Sequence, residues 1–469
     1  MSPNNESRRV IVIGAGVTGL TVAYRLVAAD PRLEVTVLES DDRPGGKLRS
    51  VGVGDLILPA GADSFLARKP WAVELCKELG IGAELVAPGA TGAHVWTEHG
   101  LVELPKDAPF GIPGEIGQVF RWPGLSRAGR RRAAQDLVRG KRKDGAEETL
   151  GGLLRRRLGD EATDRALAPL LAGLYAGDVD RLSARATFPE LERWESWQGS
   201  LIRGAQAATR QSRREDPGPM FVRPKGGVDR LTEVLADRLG PRVRTRARAK
   251  SVDVERPGVS VTLENSSVAA DAVVLSTPAH VAAGVLGSLA PSAAADLACI
   301  PYASTGVVLM VYPKDTQKGL PRGTGFVAPR GAAPMTAATW LSRKWPSDAF
   351  GSRAVVRCYV GAVGEEDILA ADDADLIEAC AHHLAALVAL PTTLEHARVV
   401  RWPSSMPQYE VGHDERVTRI RSALPPGVFV TGQAYDGVGI PDCVRAAGEA
   451  AESVLGHLAD APIDEETLR

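Results

Sequence analysis

An α/β fold, in which one domain is gathered from distant stretches of the chain and accompanied by a mixed sheet and a helical insert, is predicted by three observations. Residues 9–39, RVIVIGAGVTGLTVAYRLVAADPRLEVTVLE, pass from an apolar run through spaced glycines into a helical pattern and then a second alternating run, the order of a βαβ unit. Far along the chain, residues 428–432 read as a buried strand followed by the turn Gly437-Val438-Gly439-Ile440 and a helix over 441–455. Between them, strands recur from 302 to about 400, crossed by one amphipathic helix at 376–387.

The first unit carries the sharpest chemistry. After the apolar run 10–13 comes Gly14-x-Gly16-x-x-Gly19, with Ala15, Val17 and Thr18 between the glycines. Gly14 permits a tight turn, Gly16 lets a pyrophosphate approach the backbone, and Gly19 brings helix and strand together, so phosphates can rest on the helix N-terminus. Glu39, with Ser40 beside it, closes the second strand where an acid accepts ribose hydroxyls. A carboxylate there repels a 2′-phosphate, which leaves NAD or FAD. The unit is Rossmann-like.

Composition narrows the class. A chain of 469 residues exceeds one simple core, and about two or three lobes are expected. Lys and Arg number 56 against 58 Asp and Glu, so no global charge points to nucleic acid. The cysteines, Cys76, Cys299, Cys358, Cys380 and Cys443, are odd in number and lack CxxC spacing, as for reduced thiols in a cytoplasmic protein. The start, MSPNNESRR, has no signal-peptide core and reads as a short disordered lead. The most apolar region, 272–313, is broken by Pro278, Pro291, Pro301 and Asp296 and reads as strand, helix, strand, not as a membrane span.

The middle of the chain supplies further elements. A helix carrying Trp71, Leu75 and Leu79 is expected after residue 69, then candidate strands at 94–97 and 101–104. Residues 121–143 are densely basic, from Arg127 to Lys143 with Asp136 the one acid; a solvated helix face is expected, a weak anionic membrane contact being the alternative. Two helices broken at Gly159 are expected over 153–180, with Gly173 and Gly177 allowing close approach. Residues 198–219 read as a charged, glycine-rich loop, 228–239 as a helix and 243–278 as a β-meander. Lys344 and Trp345 are placed in a strand end.

The segment Asp42-Arg43-Pro44-Gly45-Gly46-Lys47 resembles the second glycine-rich element of the flavin amine oxidase and protoporphyrinogen oxidase superfamily, whose R-x-G-G turn touches the diphosphate. An ordinary polar turn is the alternative. That resemblance implies contacts from Arg43, Gly46 and Lys47, and FAD as the cofactor. The string GADSFLARK is similar to the element of bacterial protoporphyrinogen and coproporphyrinogen III oxidases that passes beside the flavin, implying contacts from Gly61, Ala62, Asp63 and Ser64. Lys69, at its end, is either a holder of a substrate carboxylate or a solvated helix lysine. Residues 169–188, PLLAGLYAGDVDRLSARATF, also resemble the porphyrinogen oxidases. By the same resemblance Val252 accepts the adenine, Thr277 and Pro278 lie under the cofactor, and Trp402 sits against the flavin. A core tryptophan is the alternative for Trp402, and His413 is read as structural. Lys344 is either the water-holding lysine of amine oxidases or an exposed edge-strand lysine.

The C-terminal stretch, with Gly432 and YDGVGIPDCVRAAGEAA, is most similar to the porphyrinogen oxidases. Its helix, with Pro441 at the first position, directs unpaired amides at the flavin from Val438, Gly439 and Ile440, worth about 0.3–2 kcal/mol for a charge at a helix terminus. Cys443 lies inside that helix, so the FAD is expected to be noncovalent. The implied division assigns 1–73, 224–290 and 405–469 to FAD, 74–100, 182–223 and 291–404 to substrate, and 101–181 to the helical insert.

The resemblance implies FAD-dependent oxidation of a porphyrinogen, hydride passing to the flavin and O₂ giving H₂O₂, with no catalytic base assigned. Coproporphyrinogen III is favoured over protoporphyrinogen IX by the soluble character of the insert, the GADSFLARK string, and Pro88 to Thr91 where plant and animal protoporphyrinogen oxidases carry an arginine. A flavin amine oxidase and a flavin-free binding protein of the same fold are the other readings; the first needs an aromatic cage, and aromatic residues are 5% of the chain. Pathway logic adds a transient contact with ferrochelatase.

Overall fold

The computed structural model describes residues 8–105, 107–142, 145–215, 218–255 and 258–460. Most of the expected lead, Met1 to Ser7, and Lys143 of the basic run lie outside them. The apolar run after Arg9 is buried because its strand, Arg9–Ile13, lies in the middle of a five-stranded sheet. Glu34–Leu38 flanks it on one side and Ala272–Leu275 on the other, both parallel, with Val243–Arg244 and Val428–Val430 at the two edges. A parallel sheet must be covered on both faces. Helices Val17–Ala29, Arg230–Leu239 and Ile440–Asp460 cover one face through Leu20, Leu231 and Val444. The meander Ser251–Glu255, Gly258–Thr262 and Ser267–Ala270 and the helices Ala279–Leu286 and His413–Ser422 cover the other through Val261, Leu286 and Ile420.

A second, seven-stranded sheet runs in the order His396–Pro407, Tyr302–Val311, Val355–Val360, Ala337–Trp340, Gly325–Val327, His94–Thr97, Gly100–Glu103. It is antiparallel except where Gly325–Val327 meets His94–Thr97, so it is mixed as expected. Helix Asp373–Leu387 packs on one face with Leu376 and Leu384. The hairpin Ser50–Val53 and Leu56–Pro59 packs on the other, Val51 and Leu58 sharing a core with Leu309 and Val355.

A third core gathers Trp122, Leu154, Leu167, Leu191 and Ile202. Helix Leu150–Leu158 ends at Gly159, which adopts φ +91° and breaks the run where expected. Beneath it, Arg157 and Asp136 form an ion pair with no exposed side-chain surface. Among the described residues no helix is long and apolar enough to cross a membrane.

Several expectations are corrected. Residues 198–219 hold a helix, Leu201–Glu215, because Leu201, Ile202, Ala205 and Thr209 make a buried stripe beneath the charges. Lys344 ends a one-turn helix, Leu341–Lys344, beyond the strand, and is half-buried, so it is not an exposed edge lysine. Gly173 approaches nothing: a Cβ there would meet no atom within 4 Å, whereas one at Gly177 would strike Leu182 and Gln408. The basic run is only partly solvated. Arg131, Arg139 and Lys141 are exposed, but Arg132 donates to the carbonyls of Arg155 and Arg156 at 2.8 and 3.1 Å, closing a helix C-terminus. The last helix starts one residue early, at Ile440, which puts Pro441 second, still within the first turn.

Candidate active site

The glycine turn is built as its spacing demands. Gly14 takes φ +103° and donates to the Leu38 carbonyl at 2.8 Å, tying the turn to the neighbouring strand. Ser276 Oγ donates to the carbonyls of Ile13 and Gly14, each at 3.0 Å, from the third strand. A Cβ at Gly19 would fall far inside contact with the Gly14 carbonyl, so helix and strand touch there. A Cβ at Gly16 would meet nothing within 4 Å. The turn therefore has one packed side and one open side, and Ala15, Val17 and Thr18 stand at the helix start beside the opening.

Glu39 is buried and its carboxylate spans the turn, accepting from Ala15 N at 2.8 Å, Asp41 N at 2.9 Å and Ser40 Oγ at 3.2 Å. The second glycine pair lies against the first: Gly45 N donates to Ala15 O at 2.8 Å, and a Cβ at Gly46 would be 3.3 Å from Gly16 Cα. Arg43 folds onto its own turn, donating to the Pro44 and Gly46 carbonyls at 3.0 Å. Lys47 donates to Gln433 Oε1 at 2.6 Å and to the Ser405 carbonyl, both neutral, and burial lowers its ammonium to about 8.

Residues 60–64 are clamped by the second sheet. Trp402 Nε1 donates to Ala60 O at 2.9 Å, and Arg357 Nη1 to the carbonyls of Gly61 at 2.7 Å and Pro59 at 3.2 Å. Asp63 is buried; burial alone would raise its carboxyl, but Arg357 and Lys344 beside it hold it well below the usual carboxylate range. Ser64 Oγ donates to the same carboxylate at 2.9 Å. Lys69 Nζ contacts both oxygens of Asp442, at 2.7 and 2.8 Å, in the first turn of the last helix.

The C-terminal half of the chain meets the N-terminal half here. The pairing of Val428–Val430 with Ala272–Leu275 leaves Gly432, φ +116°, with a Cβ position 3.4 Å from Thr18 Oγ1. Tyr409 OH donates to Gln433 O at 2.6 Å and accepts from Gly437 N at 2.8 Å, bracing the turn that leads through Val438 and Gly439 to Ile440. His413 stacks on Tyr409 at 3.9 Å, and burial, with Arg416 adding to it, lowers its imidazole to about 4. His413 is therefore neutral in the fold, while the unfolded chain takes up a proton below its ordinary value of 6.5. Stability is complete above that value and falls as pH drops toward 4, by about 1.4 kcal/mol per pH unit. Urea denaturation at about pH 7 and about pH 5 should show roughly 2 kcal/mol more loss in the wild type than in His413→Gln.

The structure thus brings together Gly14 to Gly19, Glu39, Gly46, Lys47 and Gly432, and fastens Ala60 and Gly61 to Trp402 and Arg357. Val252 lies in the meander opposite Val261 and shares a buried core with Ile13, Leu38 and Leu275, the strand ends beside the turn. Residues to which the sequence assigns no role include Ser276, Tyr409, Gln433, Asp442 and Arg357. Arg357 left a signal, a charge inside the apolar run VVRCYV. The arrangement fits a dinucleotide. The open face at Gly16 suits phosphates, and Thr277 Oγ1, buried without a partner, is a polar atom awaiting one. Lys47 has no carboxylate on its bonds and matches an anionic group.

Comparison with known proteins agrees with this geometry. Residues 17–455 match the family described as flavin containing amine oxidoreductase. The chain is 34% identical to coproporphyrinogen III oxidase of Bacillus subtilis (strain 168), covering 97% of this chain and 99% of the relative. It is 28% identical to the chloroplastic protoporphyrinogen oxidase of Nicotiana tabacum, over 96% of this chain and 85% of that protein. A crystal structure assigned to a protoporphyrinogen oxidase from Exiguobacterium sp. 255-15 superposes with a TM-score of 0.86 at 30% identity, covering 97% of this chain and 100% of that one. The two-part glycine cradle, the joined ends and the full-length match place the chain in the flavin containing amine oxidoreductase family, as an oxidoreductase with a flavin cofactor.

Proposed function

We propose that this protein oxidises coproporphyrinogen III to coproporphyrin III with noncovalent FAD, O₂ accepting the electrons and leaving as H₂O₂, in heme biosynthesis in the cytoplasm. The observation that carries the reading is the near full-length similarity to an oxidase named for coproporphyrinogen III, at higher identity than to the chloroplastic protoporphyrinogen oxidase. When bound, the flavin accepts hydride from a substrate carbon. The chain's own work is positioning. Arg357, Trp402 and the Arg49 carbonyl hold residues 60–61 as one wall, and Tyr409 holds the 433–437 turn as another.

Gly14 to Gly19, Glu39, Ser40, Arg43, Gly46 and Lys47 receive the dinucleotide, with Val252 at the adenine, and Thr277, Trp402, Gly61 to Ser64, Gly432 and Val438 to Ile440 near the ring. Lys69, partly exposed, neutralises Asp442 and offers its remaining surface to a substrate carboxylate. Burial pushes the Cys443 thiol up to about 11, which leaves it a poor nucleophile and favours noncovalent flavin. In this reading residues 1–73, 224–290 and 405–469 serve the cofactor, 74–100, 182–223 and 291–404 the substrate, and 101–181 form the insert, whose exposed arginines allow at most a peripheral membrane contact. A transient contact with ferrochelatase would pass the product on; calorimetric titration without heat or saturation rejects it.

Protoporphyrinogen IX is the second reading, favoured by the likeness to the Exiguobacterium structure. The two are separated by kcat/KM measured from porphyrin fluorescence. If the extra carboxylates are recognised by charge-assisted bonds, about 1.5–3 kcal/mol each, coproporphyrinogen III should be preferred at least about tenfold. Equal values, or a preference for protoporphyrinogen IX, would reverse the assignment.

A further inference from the structure

Behind residues 61–64 lies a charge imbalance that the cofactor cradle does not use. Three cations, Arg223, Lys344 and Arg357, surround Asp63, and Asp229 acts more weakly on Arg223 without pairing with it. Lys344 Nζ lies 3.0 Å and Arg357 Nη2 3.3 Å from Asp63, and Trp345 Nε1 donates to it at 3.2 Å. Arg223 stands on the strand Phe221–Pro224, which pairs with Phe65–Leu66 just past Asp63. Its guanidinium stacks over the Trp345 ring at 4.3 Å, and among the described residues it has no ion-pair partner. Arg223 Nε and Arg357 Nε are both buried without a hydrogen-bond acceptor, and Arg357 is 1% exposed. Phe221, 5.6 Å from Lys344 Nζ, and Trp345 add aromatic walls.

Two carboxylates do not balance three cations, and Asp229 forms no ion pair with Arg223, so a net positive charge is left where burial makes it costly. The missing element is an anion. Guanidinium groups with free N–H donors match a planar carboxylate better than a spherical ion, and the flanking rings suit a carboxylate carried on an apolar ring system. We infer that Arg223, supported by Lys344 and Arg357 around Asp63, forms a subsite for one carboxylate side chain of the substrate. It is separate from Lys69, which is paired with Asp442. The inference rests on the porphyrinogen reading above and adds where one of its carboxylates is held.

The test is a fluorescence titration of the flavin-loaded protein with coproporphyrin III, a tetracarboxylate, and with mesoporphyrin IX, a dicarboxylate. Arg223→Gln should weaken coproporphyrin III binding roughly ten- to hundredfold, the equivalent of one charge-assisted bond, with a smaller effect on mesoporphyrin IX. KM for coproporphyrinogen III should rise while kcat and the flavin absorbance stay unchanged and Tm does not fall. Arg223→Lys should recover part of the loss. Arg223→Met, which keeps an unbranched stem against Trp345, should repeat it and serves if the glutamine variant fails to fold. Unchanged binding in a folded variant, or a fall in Tm with no change in KM, overturns the subsite alone. Wild-type protein that binds no porphyrin overturns the substrate reading, and the subsite with it.

Discussion

A Gly16→Val protein is expected to fold and melt like the wild-type apoprotein, yet to bind FAD roughly ten- to hundredfold more weakly and to be isolated colourless. The Gly16 backbone has φ −73° and ψ 178°, open to any residue, and a Cβ there meets no protein atom within 4 Å. The new methyl groups occupy only the space assigned to the phosphates, an overlap worth about 1–3 kcal/mol. Thermal melts of the apoprotein together with an FAD titration separate the two effects. Gly19→Val is the contrasting case, since its Cβ would drive into the Gly14 carbonyl and Ser276 Oγ and weaken the fold itself. A yellow Gly16→Val protein with wild-type affinity would place the phosphates elsewhere.

The second large effect is on stability. Arg157→Met is expected to cost about 3–5 kcal/mol, because it strands Asp136 as an unpaired buried charge. Asp136 would retain the Ser200 hydroxyl at 2.5 Å and Ile202 N at 2.9 Å, neutral donors that stabilise a carboxylate less than a guanidinium does. Arg157 also donates to the carbonyls of Gly199 at 2.6 Å, Asp136 at 2.9 Å and Gly140 at 3.1 Å, so one side chain joins several segments of the insert. Replacing both partners, Arg157→Met with Asp136→Leu, should recover only part of the loss, since it removes the unpaired charge but leaves Ser200 Oγ, Ile202 N and the Gly199 carbonyl without these partners. Urea titrations of the single and double variants check this; a single variant as stable as wild type would mean the pair contributes nothing.

What was legible in the sequence is what local spacing determines. Gly14, Gly16 and Gly19, the apolar strands and the Gly159 break follow from periodicity and backbone conformation over short windows. Helix Leu201–Glu215 was hidden because Gly204 and the arginines gave a loop-like composition, although Gly204 is there to admit Trp194, whose ring atoms a Cβ would strike. Asp136 looked like a lone acid in a basic surface run and is instead the buried partner of Arg157. Asp63 and Lys344 are 281 positions apart, and nothing local in either stretch encodes their pairing. The cradle was therefore readable as motifs, while the charges around it depend on long-range contacts.

The joining of the chain's two ends around a flavin that takes hydride from a porphyrinogen is tested most directly by mixing the flavin-loaded protein with coproporphyrinogen III without oxygen and following the visible flavin band. The account predicts that the band bleaches on mixing and returns when O₂ is admitted, with coproporphyrin fluorescence appearing. A band that stays unchanged with coproporphyrinogen III and protoporphyrinogen IX, yet bleaches with a primary amine, would contradict it.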